Sequence, residues 1–179
     1  MDETYILVKS DPRLLISKKS IEDSYKTSKK LEEYMEIINK TSKQLAKSIL
    51  IADNFEKVLT KNDSIIYKNQ ITLSKKIIKN INSLQDLFFG KVDKRQGIVR
   101  SPKETVLSRI RKANYYSSSR PNGITKTEDI LINQAKNELK SVLNKVNLFF
   151  NEDWKEYQIK MEQLSVSPFK PIQKFNINN

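Results

Sequence analysis

The chain of 179 residues contains no cysteine and no histidine. Without thiols there is no disulfide, no thiolate metal site and no cysteine nucleophile, and the compartment cannot be read from redox chemistry. Without imidazole, Ser-His-Asp triads, zinc-hydrolase motifs and the Glu-x-x-His signature of di-iron bundles are excluded. An enzyme here would have to work with carboxylates, Lys, Arg, Tyr, Ser and Thr alone. No convergent catalytic motif is visible among them, so catalysis ranks last among the function classes. Glycine occurs three times and proline five times, a scarcity that favours long helices. No apolar run approaches the roughly 20 residues that span a bilayer. Asp2 and Glu3 are acidic and no long apolar segment follows them, so the start does not read as a signal peptide. No cofactor and no metal is expected.

What is present is charge and helix-forming sequence. Hydrophobic residues make up 37 % of the chain, which suits helices with one apolar stripe and a wide wet face. Lys and Arg number 33 against 21 Asp and Glu, a net charge of +12. Residues 62–123 hold roughly 13 basic against 4 acidic side chains, and the remainder is nearly balanced. Lysine far outnumbers arginine, and AT-rich coding is one source of such a bias.

In chain order, residues 4–9 (Thr-Tyr-Ile-Leu-Val-Lys) are β-branched and aromatic and read as a strand with no partner elsewhere. Asp11-Pro12-Arg13 ends it as a linker. The periodicity then predicts four helices near 18–60, 64–89, 102–118 and 126–164. The first starts at Ser17 or Ser20 and places Leu31, Met35, Ile38, Leu45, Ile49, Ala52 and Leu59 on one stripe, which Ser42 and Glu56 weaken. Asp53-Asn54 is a candidate kink or end. Asn62-Asp63 reads as a turn and new cap before a stripe of Ile66, Leu73, Ile77, Ile81, Leu84 and Phe88, closed by Gly90. Ser101-Pro102-Lys103-Glu104 reads as a capped start for a short helix with Val106, Ile110 and Ala113 on one face. Thr125-Lys126-Thr127-Glu128 is a second capping box. It opens a helix with Leu131, Ala135, Leu139, Val142, Val146, Phe149, Tyr157, Met161 and Leu164 inward. The expected fold is mainly α: an antiparallel up-down four-helix bundle with one long N-terminal and one long C-terminal helix, plus an orphan N-terminal strand. The domain reading is 1–16 strand and linker, 17–164 bundle, and 165–179 an extended, Pro-containing tail.

Three constellations invite a functional reading. Lys75, Lys76, Lys79, Arg109, Arg111 and Lys112, with Arg95 and Arg100, could hold phosphates, and Tyr115 and Tyr116 could stack on bases. The competing reading is a solvated helix face plus compositional bias. The scarcity of Arg and the absence of a nucleic-acid motif favour the latter. Glu152, Asp153 and Glu156 could bind a cation, but they lack calcium-loop geometry, and pairing with Lys155 and Lys160 at helical spacing is the better reading. Phe149, Phe150 and Trp154 could line a ligand pocket; core packing fits them better. The run Ser117-Ser118-Ser119 has no base nearby and reads as a helix end.

The run Leu87-Phe88-Phe89-Gly90-Lys91, followed by Gln96-Gly97-Ile98-Val99-Arg100, resembles the C-terminal helical region of bacterial sortilin-like proteins. So do Lys126-Thr127-Glu128, the stretch Asn147 to Lys155, and Asp11-Pro12-Arg13 ahead of a helix. These are large exported proteins, common in Bacteroidota and often labelled glycosyl hydrolases with BNR repeats. In them a β-propeller is followed by a small β-sandwich and a helical domain. The resemblance implies that residues 4–9 complete a sandwich outside this chain and that the propeller and sandwich of the parent are its partners. It carries no catalytic residue onto this chain. The expected function is a non-catalytic helical interaction or structural module. The alternative is a stand-alone basic nucleic-acid-binding helical protein; under the first reading only weak, nonspecific polyanion binding is expected.

Overall fold

A computed structural model describes residues 5, 6, 9, 11, 13, 16–91, 104–119 and 123–164. These are mainly helical and form a bundle of four helices. The first, α1, spans Lys18–Asp63. Ser17 caps it from an extended backbone, its hydroxyl accepting from the Ser20 N–H at 3.0 Å, and so satisfies one of the donors a helix start leaves free. Leu31, Tyr34, Ile38, Leu45, Ala52 and Leu59 are buried along one face. Ser48 lies on the same face and returns its hydroxyl to the Gln44 carbonyl at 3.1 Å. Asp53-Asn54 neither ends nor breaks the helix, and Asp53 pairs with Lys57 one turn on.

The second helix, α2, spans Lys68–Phe89 and starts later than the sequence suggests. The Asp63 carboxylate accepts from the Ile65 and Ile66 amides at 2.8 and 2.9 Å. That closes a turn over 64–67 where a helix start was expected. Ile66 therefore stands exposed in the turn and not on the inner face. Ile71, Ile77, Ile81 and Phe88 are buried. Gly90 ends the helix at φ 83°, its N–H donating to the Asp86 carbonyl at 2.8 Å. Only a residue without Cβ takes that backbone without strain.

The third helix, α3 (Val106–Ser118), begins after the expected Ser101 cap. Thr105 and Ser108 exchange side-chain and backbone hydrogen bonds in a complete capping box. This nearer, self-contained cap sets the start, and Glu104 stays outside the helix; Ser101 itself lies outside the described residues. Ser118 and Ser119 return their hydroxyls to the carbonyls of Tyr115 and Tyr116, which makes the serine run a helix end.

The fourth helix opens at the expected capping box of Thr125 and Glu128. It runs as α4 (Lys126–Phe149), passes through one π-helical turn (Phe150–Trp154) and ends as α5 (Lys155–Glu162). The π turn was not foreseen.

The four helices make three antiparallel passes. Lys75 reaches Glu56 at 3.5 Å, so α2 folds back along the C-terminal half of α1. Gly90 then abuts the Thr105 side chain, and Gly123 abuts Ser20. Between those two points α3 continues in the direction of α2 down the N-terminal half of α1. The fourth helix returns alongside both: Arg109 faces Glu138, and Ser74 Oγ meets the Tyr157 hydroxyl at 3.0 Å. One continuous core joins all the helices.

No strand occurs among the described residues. Tyr5, Ile6 and Lys9 carry no regular structure and are exposed. The remaining residues of 4–9, and the tail at 165–179, lie outside the described residues.

Candidate functional site

The six basic residues singled out by sequence fall into two groups that the fold keeps apart. Lys75, Lys76 and Lys79 lie exposed on α2, beside the C-terminal half of α1. Arg109, Arg111 and Lys112 lie on α3, beside its N-terminal half. The register places Lys79 level with about residue 52 of α1 and Arg111 level with about residue 35, so at ~1.5 Å per residue the groups are about 25 Å apart along the axis.

Half of these cations are already paired. Glu104, held just ahead of α3, reaches Arg109 at 2.8 Å and Lys112 at 3.6 Å. Glu138 approaches Arg109 from α4 at 4.0 Å. Glu56, which weakened the α1 stripe in sequence, reaches Lys75 at 3.5 Å across the helix pair. These pairs are partly exposed, so each contributes little stability, yet each places an anion where a phosphate would have to sit. Arg95 and Arg100 lie outside the described residues.

The carboxylates of the fourth helix do not converge. Among the described residues no group of three potential ligands is placed to hold a metal ion. Glu156 pairs with Lys160, and that hydrogen bond, with Lys76 contributing at longer range, holds its carboxyl below the ordinary range. Glu152 and Asp153 edge a shallow hollow of about 220 Å³ between α2 and α4, floored by Leu84, Leu148 and Phe149.

The aromatic residues pack as a chain. Phe149, Phe150, Trp154 and Tyr157 lie 5.3 to 6.4 Å apart between ring centroids, and Phe55 of α1 meets the Tyr157 edge at 6.4 Å. Trp154 and Tyr157 are buried. These rings are core, in geometries that stabilise aromatic pairs. Tyr115 and Tyr116 remain exposed at the end of α3, edge to face at 5.5 Å.

One concavity was not legible. A groove of about 340 Å³ runs between α1 and α3, floored by Leu31, Met35 and Ile110, with Glu32, Glu36 and Arg111 on its rim. Its residues lie some 75 positions apart in sequence, and no local pattern links them. Compared with protein-family models, curated proteins and solved structures, the chain matches none.

Proposed function

We propose that the chain is a non-catalytic helical interaction or structural module, of the kind that follows the β-sandwich in exported sortilin-like β-propeller proteins. The observation that carries the reading is the pairing of its charged side chains. Lys75 meets Glu56 and Arg109 meets Glu138 across helix pairs, while Arg109 and Lys112 share Glu104 locally and Lys160 takes Glu156 within one helix. The two cross-helix pairs orient their helices while adding little stability. A catalytic centre instead gathers groups with displaced pKa values in one cleft. The sequence likeness at 87–91, 126–128 and 147–155 supports the family part of the reading, in which the parent's sandwich and propeller are the partners.

The alternative, a nucleic-acid-binding protein, draws on the net charge of +12 and on exposed Tyr115 and Tyr116. Two titrations separate them. Against labelled single-stranded and duplex oligonucleotides, the module reading expects weak binding that vanishes as salt rises toward physiological strength. Against the purified propeller-plus-sandwich portion of a sortilin-like protein, it expects a saturable complex. Tight oligonucleotide binding at physiological salt, lost on Lys75→Glu, Lys76→Glu and Lys79→Glu with helicity unchanged, would overturn the reading. Absence of any complex with the propeller portion would remove its family part.

A further inference from the structure

The first and fourth helices leave an open seam between them. Helix α1 packs closely on α2 and α3 and only lightly on the fourth helix. Its core row, Leu31, Ile38, Leu45, Ala52 and Leu59, recurs every seventh residue and is at most 2 % exposed. One position ahead runs a second row at the same interval, Ile37, Gln44, Ile51 and Val58, and it is exposed. A one-residue offset turns that row about 100° round the helix. The α2 and α3 flank lies the other way, where Glu56 meets Lys75 and Met35 shares a groove with Ile110. The second row therefore stands on the flank from which Phe55 reaches Tyr157 of the fourth helix.

Across the seam, Lys136, Lys140, Leu143 and Asn147 follow at fours and threes on one face of α4. They lie on the flank opposite Glu138 and Lys145, which face α3 and α2. The two helices run parallel, and the Phe55–Tyr157 contact sets these residues beside roughly positions 35–46 of α1. The rim of the seam is cationic. Lys40, Lys47, Asn54 and Lys61 form a third row of sevens, next to the second. Glu36 holds Lys40 at 2.9 Å. Lys47, Lys136 and Lys140 are exposed and have no ion pair among the described residues. The nearest carboxylates on these faces stand at the ends, Glu33 and Glu36 at one and Glu162 at the other. The middle of the seam thus keeps three unopposed positive charges beside an apolar row.

We infer that this seam receives a helix of a partner protein, one that presents apolar residues in sevens with carboxylates beside them. A repeat of seven keeps two helices in register side by side, and Ile37 to Val58 offers such a partner about 32 Å at ~1.5 Å per residue. Glutamates flanking its apolar row would meet Lys47, Lys136 and Lys140, and charge complementarity of this kind selects the partner. A second copy of the chain would set lysine against lysine. A lipid surface is flat and meets the outer crest of α1, leaving Ile51 and Val58 on the flank uncovered. A nucleic acid answers the lysines and not the apolar row. The inference stands apart from the sortilin-like reading, whose partners are β-domains, and the failure of one leaves the other untouched.

Fluorescence anisotropy of the full chain with two labelled three-heptad helical peptides tests it. Both peptides carry leucine at the first and fourth heptad positions; the flanking positions are glutamate in one and glutamine in the other. The glutamate peptide should bind about tenfold tighter than the glutamine peptide, and its lead should shrink as salt rises. Ile51→Ser with Val58→Ser should weaken binding by about tenfold at unchanged helicity. Lys47→Glu with Lys140→Glu should abolish the preference for glutamate. No binding of the glutamate peptide, equal binding of the two peptides, or binding indifferent to either double variant would overturn the proposal. So would sedimentation showing a dimer that Ile51→Ser with Val58→Ser dissolves, since a second copy would then fill the seam.

Discussion

The Tyr157 hydroxyl lies inside the bundle with one side-chain partner, Ser74, at 3.0 Å, and Ser74 in turn donates to the Gln70 carbonyl at 3.0 Å. Burial pushes the phenol above its ordinary value, and the Ser74 contact offsets part of that rise. Tyr34 is shifted the same way, by burial and by nearby Glu33. In an unfolded chain tyrosine ionises near pH ~10. Below that pH both states hold the proton, and the contribution to stability is fully present. As pH climbs from about 10 through the higher folded-state value, the unfolded chain loses its proton first and stability falls. Tyr157→Phe should lower the melting temperature at neutral pH by about 2–4 °C, from one lost hydrogen bond of about 1 kcal/mol. It should also flatten the alkaline decline, leaving the part due to Tyr34. Thermal melts across pH 7–11 read both effects, and an unchanged alkaline slope would mean that Tyr157 ionises freely in the fold. Neither Ser74 nor its role was legible, because Ser74 and Tyr157 are 83 residues apart.

Among the elements, the π turn has the clearest consequence. Regular spacing after Phe149 would bring Asp153 inward, whereas the five-residue step to Trp154 needs one extra residue in the turn. The wider turn keeps Asp153 exposed and buries Trp154, and the stripe resumes at Tyr157 and Met161. Deleting Asn151 should therefore convert the turn to plain α-helix with the stripe still in phase, and the protein should stay folded with little loss in melting temperature. Deleting Asn144 instead should rotate everything after it by about 100° and expose Phe149 and Tyr157, with loss of cooperative unfolding. Circular dichroism melts of the two deletions check this. The sequence did carry the clue, a Phe149–Trp154 interval that fits neither three nor four. Helix existence, the Gly90 stop and the Thr125–Glu128 cap were legible because each rests on neighbours in the chain. The start of α3 was misplaced because Ser101 with Glu104 and Thr105 with Ser108 both make plausible boxes, and only the second forms within the described residues.

At the scale of the whole molecule, α1 with 46 residues is too long for α2, with 22, to cover. Placing α3 after α2 along the same side completes the cover, and the bundle becomes three passes thick. Helix lengths hinted at this in the sequence. The up-down expectation set α3 antiparallel to α2; the connection between them is long enough for either arrangement, and α3 instead runs on in the direction of α2. The arrangement separates Lys75, Lys76 and Lys79 from Arg109, Arg111 and Lys112 along the bundle axis. Because the chain has no cysteine, Lys79→Cys with Arg111→Cys can carry two spin labels without background. Pulsed electron spin resonance on that variant measures the separation directly. Three passes with α2 and α3 in tandem predict a distribution centred near 25 Å at ~1.5 Å rise per residue. A distribution centred near the ~10 Å that separates neighbouring helix axes would place α3 beside α2, bring the two basic groups together, and contradict the account.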